Sequence, residues 1–123
     1  MDKLMLTFIF IIPLITIIVG TSMKKGIPKK VNNIWGYRTI MSMKNEETWK
    51  FAQNYCGKLW LKLGIITTIV SIIAVSILIN LSEDIFEKVT SILIIVQTIV
   101  LVISVFVVEK ALKNNFDEYG NKK

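Results

Sequence analysis

Histidine is missing from this chain, cysteine occurs once as Cys56, and arginine occurs once as Arg38 among fourteen lysines. A single cysteine excludes an intrachain disulfide, and without histidine a Cys/His metal site has no ligand set. Cys56 reads as a small apolar packing residue. Phosphate-cradling glycine loops are missing too, as is any nucleophile with a visible base. These gaps argue against an enzyme and imply no cofactor. The most telling absence is patterned: the blocks 4–23, 63–81 and 89–108 contain no Asp, Glu, Lys or Arg, over 19 or 20 residues each.

What fills those blocks is apolar. Hydrophobic residues make up 53% of the 123, against about 45–50% in soluble domains on a similar count. At about 1.5 Å of rise per residue, each block as a helix spans about 30 Å, the thickness of a hydrocarbon core. β-Branched residues crowd the blocks, as in Ile65-Ile66-Thr67-Thr68-Ile69-Val70, a composition that favours strands in water. In lipid every backbone group must pair within the segment, and three strands cannot close a barrel. The reading is an all-α membrane protein, a single domain over 1–123 with three transmembrane helices.

Charge gives an orientation. Residues 24–62 hold nine basic side chains against Glu46 and Glu47, whereas the connection 82–88 holds Glu83, Asp84 and Glu87 against Lys88 alone. Basic short loops stay in the cytoplasm, which predicts a cytoplasmic loop 24–62, the N-terminus outside and the C-terminus inside. A cleaved signal peptide over the first block, with Gly20 and Ser22 near a cut, would export the basic loop against that rule. Attraction to anionic lipid accounts for the basic loop; no nucleic-acid fold signature accompanies it.

The loop carries the most specific pattern. After Gly26-Ile27-Pro28-Lys29-Lys30, which ends the first helix, come Asn32-Asn33-Ile34-Trp35-Gly36-Tyr37-Arg38-Thr39. Gly36 permits a positive φ or a close backbone approach. Trp35 and Tyr37 are residue types that settle at headgroup depth. Arg38 offers a planar five-donor fork, suited to a lipid phosphate, a helix C-terminus, or Glu46 or Glu47. Asn45 is a good N-cap, and Glu46 and Glu47 follow in the first turn, where acids favour the helix dipole. From Trp49, the residues Ala52, Cys56, Leu59 and Leu63 recur on one helical face, with Gln53 and Asn54 mostly off it. This predicts an interfacial amphipathic helix between the first and second spans, bending at Gly57 or running directly into the second span.

Within the spans the polar residues are neutral. Thr90, Gln97 and Ser104 recur every seven residues on the third helix, close to one stripe. Gly64, Thr68 and Ser71 make a small-residue face on the second. Both read as helix–helix contacts, within the monomer or across a homo-oligomer; Gln97 in a groove for a hydrophobic peptide is the alternative. Pro13 is expected to kink the first span. The lack of any ionisable group inside a span counts against a transporter.

The string Asn32-x3-Gly36-Tyr37-Arg38-Thr39, Ser42, Asn45-Glu46-x2-Trp49-x2-Ala52, Gly57-Lys58 resembles the signature of the SdpI family, bacterial membrane proteins named for an immunity protein against a secreted toxic peptide. The likeness covers about residues 28–62, and the hydropathy of 63–108 is also similar. It implies a place in the bacterial cytoplasmic membrane and resistance to a membrane-active peptide toxin by binding. From the founding member it further implies a membrane tether for a cytoplasmic transcriptional regulator. This chain has only the signature half and is shorter than that member, which makes the tether the more distant inheritance. Expected partners are thus the lipid bilayer, a hydrophobic peptide and a cytoplasmic regulator.

Overall fold

A computed structural model describes residues 3–123 as three helices, α1 (Lys3–Lys24), α2 (Glu46–Leu78) and α3 (Glu83–Asn115). All three are long and apolar enough to cross a membrane. Consecutive helices run antiparallel. The loop 25–45 and the tail 116–123 therefore gather at one end of the bundle, with the short turn 79–82 at the other. The expected amphipathic segment is not a separate helix: α2 continues for 33 residues from Glu46 into the second span. At about 1.5 Å per residue it is about 50 Å long, well beyond a hydrocarbon core.

α1 and α2 pack with their backbones almost in contact. A side chain at Gly57 would fall on the Lys24 amide nitrogen and Met23, and one at Gly20 would lie 2.7 Å from Leu61 N. Gly57 is thus where α1 needs room; its lack of a side chain serves packing between helices. Two turns further on, Gly64 faces Ile17 and the Pro13 carbonyl. Asn54 Nδ2 donates to the Lys24 carbonyl at 3.0 Å, closing the end of α1.

Pro13 explains the seam with α3. Lacking an N–H, it cannot bond the carbonyl four residues back, that of Ile9. In hydrocarbon that carbonyl has no water to turn to. Gln97 Nε2 donates to it at 3.2 Å, and Ser71 Oγ donates at 3.4 Å while accepting from Gln97 at 2.9 Å. Thr90, Gln97 and Ser104 are all buried on this one stripe of α3. Thr90 bonds back to the Phe86 carbonyl at 2.7 Å, and Ser104 accepts from Trp60 Nε1 at 3.0 Å. Away from the stripe, the middle of α3 turns large apolar side chains outward, including Ile92, Ile95, Ile99 and Val102.

Candidate functional site

At the loop end the chain has few helical hydrogen bonds to satisfy its backbone, and side chains take their place. Asn32 Oδ1 accepts from the amides of Ile34 and Trp35, at 2.9 and 3.0 Å, and holds the first turn. Gly36 follows at φ 103°, a left-handed conformation that suits glycine. A side chain there would also lie 2.8 Å from Gln53 Oε1 and 3.0 Å from Pro28. That turn sends Tyr37 inward and leaves Arg38 exposed.

Tyr37 is the strut of the loop. Its N–H donates to Gln53 Oε1 at 2.8 Å, and its carbonyl accepts from Gln53 Nε2 at 2.7 Å. The phenol reaches Glu109 Oε1 at 2.7 Å and the Val105 carbonyl at 3.1 Å, tying the loop to α3. Burial, and after it the hydrogen bond and the negative charge of Glu109, push the phenol well above its usual range. Tyr37 is 7% exposed, because backbone and side chain are both anchored internally; Trp35 is 40% exposed.

The second half of the loop hands the chain to α2. Thr39 and Ser42 bond reciprocally, with Thr39 N–H donating to Ser42 Oγ at 2.8 Å and Ser42 N–H to Thr39 Oγ1 at 3.2 Å. Asn45 caps α2: its Oδ1 accepts from Thr48 N–H at 2.9 Å, and Thr48 Oγ1 accepts from Asn45 N–H at 3.1 Å. The Asn45 amide also donates to the Gly120 carbonyl at 2.8 Å, fastening the C-terminal turn to the same point. Trp49 is fully buried, with its indole donating to the Pro28 carbonyl at 2.8 Å.

The structure therefore brings Asn32, Gly36, Tyr37, Thr39, Asn45 and Trp49 into one interlocked cap. It leaves Arg38 and Glu46 on the surface. Among the described residues Arg38 forms no ion pair with Glu46 or Glu47; the recorded pair is Lys88–Asp84 at 3.2 Å. Gln53, placed off the apolar face in the sequence reading, is 1% exposed and central to the cap. Its position four residues after Trp49, on the same helical face, was the signal.

Of the hollows that open beside the cap, one of about 730 Å³ lies between Thr39, Ile40, Met41 and Lys44 of the loop and Glu109, Lys113 and Phe116; two more involve the basic residues of the loop. One, of about 560 Å³, is ringed by Lys24, Lys25, Lys29, Lys30 and Lys50, with Glu46 among them. The other, of about 300 Å³, lies between the three helices beneath Arg38. No group of three Asp, Glu, His or Cys residues that could hold a metal ion occurs among the described residues. The arrangement offers binding surfaces.

A family model for the SdpI/YfhL protein family matches residues 29–108. The chain belongs to that family. A Bacillus subtilis (strain 168) protein described as "Uncharacterized protein YfhL" is 36% identical over 50 residues. That stretch is 41% of this chain and 46% of the relative, so less than half of the relative is spanned. No solved structure matches. The residues that carried the resemblance, from Asn32 to Lys58, lie inside the matched range.

Proposed function

We propose that this SdpI/YfhL-family membrane protein protects the cell that makes it from a membrane-active peptide toxin, acting by binding and not by catalysis. The observation that carries this reading is how the motif is used. Most of its residues are spent on a rigid cap at one end of the bundle, while the spans keep broad apolar faces outward. A hydrophobic peptide in the bilayer would meet those faces. Capture of the peptide in the membrane, or shielding of its target, follows from such contact.

The proposed setting is the bacterial cytoplasmic membrane, with the basic loop and C-terminus inside and the N-terminus outside. The first turns of α2 then lie at headgroup depth. Retention of α1 is favoured because a cleaved leader would strip Gly57 and Gly64 of the helix they fit. Toxin arriving from outside meets the spans and the 79–82 turn first. The cap serves to set the helix packing.

The test is survival. A toxin-sensitive bacterial host expressing the chain is expected to outgrow the empty-vector host when challenged with a cognate peptide. Equal killing across cognate and related peptides removes the immunity reading.

A second reading, a tether for a cytoplasmic regulator, is favoured by Ile34 and Ile40, each 85% exposed on the loop beside Trp35. Photocrosslinking from residues 35–50 in cells is expected to yield a soluble protein if this holds, and lipid alone if it does not.

A further inference from the structure

Arg38 is the motif residue with the least to do inside the fold. The turn at Gly36 carries it to the mouth of the hollow between the three helices, where it is exposed and has no carboxylate partner among the described residues. The walls are Val19 and Met23 of α1, Cys56 and Trp60 of α2, and Val105 of α3, with Gly36, Tyr37 and Thr39 of the loop, enclosing about 300 Å³. No Asp or Glu lines this crevice. Val19, Met23 and Val105 belong to the last residues of two charge-free blocks. The crevice therefore sits where hydrocarbon gives way to headgroups, at the end of the bundle that carries the positive charge.

We propose that this crevice is a seat for one anionic phospholipid, with an acyl chain against Trp60 and Val105 and the phosphate on the Arg38 guanidinium. An apolar slot open to lipid fills with a chain, because no water is available there to fill it. The headgroup then meets a planar fork whose geometry matches two phosphate oxygens, which a lysine cannot offer. A zwitterionic headgroup brings its own cation beside that phosphate, and this cation repels the guanidinium, so an anionic headgroup is preferred. Basic pockets between transmembrane helices are a recurrent form of lipid recognition. The lysine-ringed hollow differs in kind: its cations are flexible point charges, Glu46 stands among them, and it attracts anions without shaping them. The proposal rests on the three spans crossing a membrane and not on the immunity reading. The survival assay and the experiment below can therefore fail separately.

Trp60 supplies the readout. In a W35F background, Trp49 is fully buried, so quenching by chain-brominated lipid reports mainly on Trp60. Phosphatidylcholine vesicles holding a minor fraction of brominated phosphatidylglycerol are compared with vesicles holding the same fraction of brominated phosphatidylcholine. The seat predicts about a five-fold preference for the phosphatidylglycerol, the scale of one arginine at an anionic surface.

R38Q is expected to bring the two lipids to parity, and K29Q/K30Q, which removes two charges outside the crevice, to keep the preference. V105F fills the slot without touching Arg38 and is expected to lower the phosphatidylglycerol quenching. Inorganic phosphate, having no chain, is expected to leave it unchanged. Parity in the parent protein, a preference that survives R38Q and V105F, loss of preference in K29Q/K30Q, or relief by inorganic phosphate would each overturn the assignment.

Discussion

Gln53 at the loop end and Gln97 in the middle of the third span are both buried, and both serve main-chain groups that secondary structure leaves unpaired. Gln53 meets the N–H and the carbonyl of Tyr37 with its two amide atoms. Gln97 meets a single carbonyl, that of Ile9, and its own Oε1 has no partner. The loop end is an irregular chain held by fully used side chains. The span is regular helix with one defect, introduced by Pro13 and patched by Gln97 and Ser71. Irregular backbone demands many specific partners, whereas helices in lipid need few. That contrast explains why the residues that carried the resemblance crowd one end of the molecule.

The comparison can be broken most severely where the two regions share a wall. Gly57→Leu forces a side chain into the α1 backbone, and overpacking of this kind costs about 3 kcal/mol. Unfolding in detergent micelles is expected to report that loss, while Ile99→Leu on the outer face of α3 leaves the transition unmoved.

Next comes Gln53→Leu, which leaves the buried Tyr37 N–H without an acceptor at a cost of about 2 kcal/mol. Its carbonyl keeps Ser42 Oγ at 3.2 Å, so the damage falls on the amide. Hydrogen exchange at Tyr37 is expected to accelerate far more than exchange in the spans.

Tyr37→Phe is expected to cost about 1.5 kcal/mol, the scale of a hydrogen bond to a charged group. This contribution depends on pH in a defined sense. The folded phenol titrates above its ordinary 10.0, so its stabilisation is full below pH 10. It is lost as pH rises through the elevated folded value. The stability gap between the parent protein and Tyr37→Phe is therefore expected to be flat at neutral pH and to close under strong alkali. A gap that widens instead contradicts the anchoring role.

Gln97→Leu should have the smallest effect, about 0.6 kcal/mol, as is typical for polar contacts in lipid. Pro13→Ala restores an N–H for the Ile9 carbonyl. In that background the cost of Gln97→Leu is expected to vanish, a coupling that a double-mutant cycle measures. An undiminished cost would mean that Gln97 serves something other than the proline defect.

Much of the span architecture was legible because its causes are local. Charge-free stretches of 19 or 20 residues permit little else in lipid, and the seven-residue recurrence of Thr90, Gln97 and Ser104 marks the buried stripe of α3. Asn45 as an N-cap was equally local, since its partner is Thr48. The loop was less legible. Arg38 was a candidate partner for Glu46 or Glu47 and pairs with neither. Tyr37 was read by residue type as an interfacial anchor, yet its partners are 16 and 72 positions away. Asn45's hold on Gly120 crosses 75 positions. No periodicity within a helix reports such pairings.

By itself, then, the sequence determined three apolar helices, the concentration of positive charge between the first two, and the glycines and proline that later shape their contacts. It did so because helix formation in lipid depends on each segment's own composition. Only the tertiary structure decided which neutral side chain answers the carbonyl freed by Pro13, which loop residues turn inward, and that Arg38 stands over an apolar crevice. Those outcomes depend on groups far apart in the chain meeting in space, and no single segment encodes them.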